Sequence, residues 1–377
     1  MRIVKVAIIQ LKYDELNYGG VLQFYALQKT IKKLGFNIEI LKVDAETKVC
    51  IAEGKRTITT KIKRLMLKAV SPVLRLKNRR KIEKYIRERK RKIEEFKTAH
   101  YTNTVDITDI NMNEYIAVVC GSDQIWNPKW ARERAFLGFA PNGVNTVIYA
   151  ASLGCEIMTE YQKSIFKPLV ENINFVSVRE LSAKSLLESF TDRKDIEVVL
   201  DPTLLLKVSE WDEITKPVEH TDYVFTYFLG EYNDFAEYVK AFAASKNLKI
   251  INIPYASGER VDSTDFGDVK IYDASPQEFI SLIKNATVVF TDSFHACVFS
   301  SLFKRKFYIF KRKNGEEMMG RIETLIKNFN LPNRIIDITS EISLDQEIDY
   351  SGFEQLQDEL IRKSINFLNM SVSNDKE

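Results

Sequence analysis

The sequence predicts an α/β protein made of two Rossmann-like, doubly wound domains that face each other across a cleft. Three observations carry this prediction. Short β-branched and aromatic runs alternate with helical repeats in both halves of the chain, the pattern of parallel sheets with crossover helices. A length of 377 residues exceeds what one ordinary core organises. Polar turns follow several of the strands, the places where open α/β sheets bind ligands.

Bulk properties narrow the class. A hydrophobic content of 45% with 28% charged residues is that of a globular, water-soluble protein. No run reaches the length of a membrane span, and the opening MRIVKVAIIQ enters a strand rather than a signal peptide, so a cytoplasmic protein is expected. Cys50, Cys120, Cys155 and Cys297 are scattered without a CxxC pair, which suits reduced thiols. With only three separated histidines as well, the pattern argues against a protein-built metal site. The net charge of +3 hides an asymmetry: residues 54–100 hold 18 Lys plus Arg against 4 Glu. The rest of the chain keeps 37 of the 55 basic and 48 of the 52 acidic residues. A basic insert on an acidic body calls for a reason.

Taken in order, Arg2 to Gln10 is an apolar strand, followed by a polar stretch ending in Gly19 and Gly20. Val21 to Leu34 has helical spacing with Gly35 as its stop, and Asn37 to Val43 is the next strand. The intervening loop, Asn17 to Gln23, allows a ligand to approach the backbone closely, although it is no GxGxxG. Within the basic insert, Ile58 to Leu76 is an amphipathic helix that Pro72 interrupts or kinks, and Asn78 to Lys97 a second helix consisting mostly of charge. Two readings stand: a solvated helical pair, or an element resting on an anionic membrane surface or a lipid-linked anionic acceptor. Nucleic acid is disfavoured because no stacking aromatics interleave the arginines. Strand character returns at Tyr115 to Cys120, ending in GSDQIWNP, and again at Thr146 to Ser152. A helix over Thr159 to Asn172 leads to a strand at Phe175 to Val178, which delivers Arg179 and Glu180. A helix over Ser182 to Phe190, a strand at Ile196 to Leu200 and the turn Asp201-Pro202-Thr203 complete a first domain spanning 1–206. Lys207 to Thr221 reads as a linker.

The second domain, 221–345, repeats the logic. Strands are expected at Tyr223 to Leu229, Lys249 to Pro254, Val269 to Tyr272, Lys306 to Phe310 and Arg334 to Ile338. Helices fall at Asp234 to Ser245 and Arg321 to Phe329, and Ser275 to Glu278 form a capping box with proline at the first helical position. A closing helix covers 350–370. The stretch TVVFTDSFHACVFSSLF, Thr287 to Phe303, matters most. A buried-strand run ends at Thr291, Asp292 and Ser293 offer oxygens to cap a helix, and His295 lies in its first turn. A histidine on an apolar face is commonly a core residue, but a helix start beside a sheet edge attracts anions, which favours a functional one.

The pieces NYGGVLQFYAL, GSDQIWN, YAASLG, VSVRE, LDPTLLL and TDSFHACVFSSLF together resemble the polysaccharide pyruvyl transferase family, in its order, over roughly residues 3 to 330. The resemblance implies a glycosyltransferase-B-like pair of domains. It also implies phosphoenolpyruvate as donor substrate, no separate cofactor, and a glycan or lipid-linked saccharide as acceptor. His295 matches the family's histidine, implied as the catalytic acid, and Arg179 its donor-binding arginine, with the helix start at Ser293 and Phe294 completing the donor cradle. Many members carry arginine two positions before the histidine, where this chain has Ser293. Lys311, Arg312 or Arg321 could supply the missing charge. For such a reaction Asn17, Gly19, Gly20, Gln23, Ser122, Asp123 and Trp126 would line the acceptor side, with Asp123 accepting a hydroxyl proton and Trp126 suiting a sugar face as well as a core or rim position. Two other readings remain open: a glycosyltransferase using a nucleotide sugar in the same frame, and a non-enzymatic glycan- or lipid-binding protein.

Overall fold

The structure, a computed structural model, describes residues 5–9, 16–43, 72–230, 233–256, 266–311, 319–336 and 347–373, with backbone only at 72–81 and 233–234. Two wholly parallel sheets organise these residues. The first takes β1 (Lys5–Ile9), β2 (Asn37–Lys42), β3 (Thr104–Asp106), β4 (Tyr115–Asp123), β5 (Asn145–Ala151), β6 (Phe175–Val178) and β7 (Glu197–Val198) in the order β3-β2-β1-β4-β5-β6-β7. The second takes β8 (Tyr223–Tyr227), β9 (Lys249–Asn252), β10 (Val269–Lys270), β11 (Val288–Thr291), β12 (Lys306–Phe310) and β13 (Ile335–Ile336) in the order β10-β9-β8-β11-β12-β13. Strand order therefore reverses between β1 and β4 in one sheet and between β8 and β11 in the other. At such switch points the strands' carboxyl ends leave a crevice. The central strands read as unbroken apolar runs because both faces are covered: all four residues of β11 and all seven of β5 are buried.

Ten helices among the described residues cover the sheets. They are α1 (Tyr18–Lys33), α2 (Pro72–His100), α3 (Glu160–Glu171), α4 (Leu181–Glu188), α5 (Val208–Asp212), α6 (Asn233–Ser245), α7 (Pro276–Lys284), α8 (Phe294–Leu302), α9 (Gly320–Asn328) and α10 (Phe353–Val372). The expected capping box on α7 is present, with Ser275 Oγ accepting from the Glu278 amide and the Glu278 carboxylate from the Ser275 amide. The closing helix α10 returns to the first sheet. Asn145 donates to the Ser371 carbonyl, the Leu200 amide donates to Ser364 Oγ, and Gln357 donates to the Leu204 carbonyl.

Two local expectations change. Gly19 and Gly20 belong to α1 rather than to a loop, because Asn17 Oδ1 accepts from both their amides and starts the helix there. The two helices expected from Ile58 to Lys97 also differ. The described residues give one helix of 29 residues that begins at Pro72, as proline can at a first turn, so that 72–76 and 78–97 are joined rather than separate; the rest of the first expected helix, 58–71, lies outside the described residues.

The described part of α2 is not simply solvated. Arg89 is fully buried, donates to the Tyr272 and Pro254 carbonyls, and lies 5.2 Å from the centre of the Tyr18 ring. Lys92 pairs with Asp273 and Glu278. Tyr18 in turn stacks on Phe279 at 4.7 Å and donates its hydroxyl to the Ala274 carbonyl. Helices of the first domain thus hold the loop and helix that follow β10 in the second, closing the two sheets' carboxyl edges toward one another.

Candidate active site

Each domain contributes to the crevice through the residue that ends a strand or starts the next helix. From the second domain, α8 follows β11 directly. Its N-cap Ser293 makes no side-chain capping bond. Asp292, expected to share the capping, instead accepts the Leu229 and Gly230 amides at 2.7 and 2.8 Å and ties down the end of β8. Ser293 thus leaves the amide end of α8 without its own side-chain cap, at a place where the helix dipole favours negative charge. His295 sits in the first turn, 6% exposed, with Nε2 3.6 Å from Asp201 Oδ2. That separation is too long for a hydrogen bond, and Nε2 has no hydrogen-bond partner among the described residues. The opposite edge of the ring rests on the backbone of α1: a Cβ built on Gly19 would lie 2.0 Å from Nδ1. Only glycine leaves room for this approach of the two domains.

From the first domain, Asp201 follows β7. Its Oδ1 accepts the Thr203 amide at 3.0 Å and the Thr203 hydroxyl at 2.6 Å. Its Oδ2 receives Arg179 Nη1 at 2.8 Å and lies 3.2 Å from Ser122 Oγ. Burial works against its charge, but His295, Arg179 and Thr203 outweigh it and hold the carboxyl far below the usual carboxylate range. Asp123 ends β4 at φ 67°, a left-handed conformation that aspartate tolerates better than most residues. It accepts Arg179 Nη2 at 3.0 Å, and its side chain keeps 25% exposure. Burial opposes its ionisation too, yet Arg179, His295 and Arg321 lower its pKa. Glu180 behaves in the opposite sense: burial raises its pKa despite Arg179 nearby.

Two guanidiniums flank Phe294. Arg179 lies 4.6 Å and Arg321 5.9 Å from its ring centre. Arg321 also contacts the Gln124 side-chain oxygen. Arg179, Asp201, Phe294, Arg321, Thr324 and Asn328 line a small cavity between the domains.

The polysaccharide pyruvyl transferase family model matches residues 17–314, well over half of the chain. The chain belongs to this family. No curated protein matches the sequence. Solved structures similar to this family member include the UDP-N-acetylglucosamine 2-epimerases of Rickettsia bellii and Methanocaldococcus jannaschii, each 10% identical. The first match covers 98% of this chain and 99% of that one at a TM-score of 0.47, the second 99% and 94% at 0.45. A heptosyltransferase of E. coli solved with ADP is 11% identical over 83% of this chain and 90% of its own, at a TM-score of 0.37.

Of the residues that the sequence singled out, the structure brings His295, Arg179, Ser293, Phe294, Arg321, Asn17, Gly19, Gly20, Gln23, Ser122 and Asp123 into this neighbourhood. Several stand there in other capacities. Both terminal nitrogens of Arg179 are taken by Asp123 and Asp201, and its side chain is 1% exposed. Its geometry is that of a buried salt bridge to two carboxylates. Ser122 and Gln23 are internal struts: Ser122 Oγ meets the Ala150 carbonyl, and Gln23 joins the Ser122 amide to the Gly20 carbonyl. Trp126 must be corrected. It is fully buried, stacks on Phe136 at 5.4 Å and donates to the Ala135 carbonyl, so it offers no face to a sugar. Lys311 is exposed just beyond β12, and Arg312 lies outside the described residues. Asp201 is the residue that sequence reasoning missed. Its signal was present in the turn Asp-Pro-Thr, a capping aspartate followed by proline after an expected strand.

Proposed function

We propose that this pyruvyl transferase family member moves the pyruvyl group of phosphoenolpyruvate onto hydroxyls of a cell-surface polysaccharide or its lipid-linked precursor, forming a ketal. The supporting observation is the meeting of His295 with Asp201 across the crevice, beside two guanidiniums and a helix start that Ser293 does not cap. A proton from His295 adds to the methylene carbon, making it a methyl group and leaving positive charge on C2. An acceptor hydroxyl attacks C2 and gives its proton to Asp123, the carboxylate of the cluster that retains solvent access. A second hydroxyl then displaces phosphate, its proton leaving with inorganic phosphate. Arg321 and the amides at the start of α8 stabilise the donor's anionic groups, taking the place of the arginine absent at Ser293. The basic stretch 54–100 would carry the enzyme to an anionic membrane surface where lipid-linked acceptors lie. Among the described residues no helix is long and apolar enough to cross a membrane.

Thermal-shift measurements test the donor directly. Phosphoenolpyruvate should raise the melting temperature and UDP-sugars should not; the reverse result refutes the proposal. His295→Ala should lower transfer by about 10²–10⁴-fold while leaving the fold intact, and retained turnover would remove the proposed acid.

A further inference from the structure

We infer that a one-residue bulge in β5, held by the Ser177 hydroxyl, sets Asp123 and Arg179 side by side at the crevice, so that Ser177 is a positioning residue for Asp123. What this does for turnover rests on the pyruvyl-transfer reading, in which Asp123 takes the acceptor's proton. The bulge shows in the register. Ile148 pairs with Val176 and Ala151 with Val178, so β5 advances three residues where β6 advances two. Tyr149 and Ala150 consequently fall in the same core as Val147, while Ile148 and Ala151 fall in the other, which breaks the alternation of a strand. Ala150 stands at φ 52° and Asp123, the β4 partner of Ala151, at φ 67°. An L-residue keeps this left-handed conformation only where its surroundings hold it, alanine less readily than aspartate.

Ser177 supplies that hold. Its fully buried hydroxyl accepts the Ala150 amide at 3.0 Å and donates to the Ile148 carbonyl at 3.0 Å, bridging the peptide groups on either side of Tyr149. On the β4 side, Ser122 Oγ lies 2.8 Å from the Ala150 carbonyl oxygen. The Tyr149 carbonyl presses so close to β4 that a Cβ built on Gly121 would lie 2.4 Å from its oxygen. The residues just past the bulge carry the consequence. The Ala151 carbonyl accepts the Arg179 amide at 3.1 Å, and the Ser152 amide donates to the Asp123 carbonyl at 2.9 Å. One segment thus fixes the backbones of both Asp123 and Arg179, whose side chains meet at 3.0 Å. A slip of one residue there would turn the side chains beyond it to the opposite face, and the pair would part.

The test compares Ser177→Ala, Ala150→Gly and the double variant in the full chain, each first checked for a cooperative unfolding transition. Burial raises the pKa of Asp123, and Arg179, His295 and Arg321 outweigh it, with Asp201 acting against them. Parting Asp123 from Arg179 returns that pKa toward the ordinary carboxylate value. Ser177→Ala should therefore flatten the fall of the urea midpoint between about pH 5 and pH 3, as Asp123→Asn does, whereas a purely structural loss lowers the midpoint equally at both. With lipid-linked saccharides extracted from cell membranes as acceptor, Ser177→Ala should lower kcat at least about tenfold and leave the KM for phosphoenolpyruvate within about twofold of the parent. Adding Ala150→Gly should restore both the pH slope and kcat, because glycine keeps the left-handed conformation unaided. The midpoint near neutral pH should stay lowered, since the amide of residue 150 and the Ile148 carbonyl still lack the hydroxyl. If Ser177→Ala does not unfold cooperatively, Ser177→Cys, similar in size and a weak donor and acceptor, takes its place with the same expected outcomes. An unchanged pH slope on loss of the hydroxyl, or no recovery in the double variant, overturns the inference. A parent that releases no phosphate from phosphoenolpyruvate with this acceptor counts against the pyruvyl-transfer reading alone, because the pH slope decides the role of the bulge without it.

Discussion

Replacing Gly19 with alanine places one methyl group where the two domains meet at His295. The new Cβ would lie 2.0 Å from His295 Nδ1, 2.6 Å from Cγ and 2.7 Å from Cε1. Ordinary contact needs about 3.5 Å, so the imidazole or the whole of α8 must retreat by roughly 1.5 Å. A displacement of about 1 Å at a reacting group is enough to lower turnover on the order of 100-fold. Folding should suffer much less. Gly19 lies within α1, where alanine is the better helix former by about 1 kcal/mol, against an overpacking penalty of about 1–3 kcal/mol. The expected result is a loss of at least about 100-fold in kcat/KM with a melting temperature only a few degrees lower. Gly20→Ala is the control, since its Cβ would meet nothing closer than 3.8 Å and turnover should persist. In a His295→Ala background Gly19→Ala should have no further effect on turnover, because the ring it displaces is gone. Parental kinetics for Gly19→Ala would show that His295 does not act from this position, and the geometric argument for the site would fall with it.

Three further outcomes follow from other contacts. Arg89→Ala removes two charge-assisted bonds to the Tyr272 and Pro254 carbonyls and should cost about 3–5 kcal/mol, read as a lower urea midpoint, with a larger radius of gyration as the domains separate; an unchanged midpoint would contradict the clamp. Trp126→Phe should cost about 1–3 kcal/mol through the orphaned Ala135 carbonyl yet leave the acceptor KM unchanged, and a tenfold rise in that KM would return the indole to the acceptor site. Asp201 and Asp123 have folded-state pKa values below the ordinary carboxylate value, so their stabilisation is present above about pH 4 and disappears as pH falls further. The urea midpoint should therefore drop between pH 5 and pH 3, less steeply in Asp123→Asn, and a flat profile in the parent would deny that the cluster is ionised.

The architecture was legible because its signals are local and repeated. A buried parallel strand such as Val288–Thr291 must be apolar on both faces, and a helix start such as Ser275–Glu278 must answer its own free amides. What the sequence hid depends on distant partners. Trp126 follows a strand in a polar loop, which looks like a binding loop until Phe136 covers the indole. Arg179 looks like a free cation at a strand end. Its partners Asp123 and Asp201 are 56 and 22 residues away, a separation that no periodicity reveals. Asp292 sits where a cap belongs but answers the amides after β8, a neighbour only through sheet order.

The charge asymmetry can now be argued further. A basic helix inserted between β2 and β3 could have been a separate appendage, tolerated because surface charge is well solvated. Arg89 makes that account insufficient for α2. A fully buried guanidinium is expensive to desolvate, and here it is answered by two carbonyls of the second domain and the face of Tyr18. Tyr18 is the residue before Gly19, and Gly19 is what His295 rests upon. The same helix therefore touches, through one aromatic ring, the backbone that admits His295. Whatever holds α2 against the second domain also holds the imidazole against the first, so the insert and the chemistry share a single closed arrangement of the two sheets.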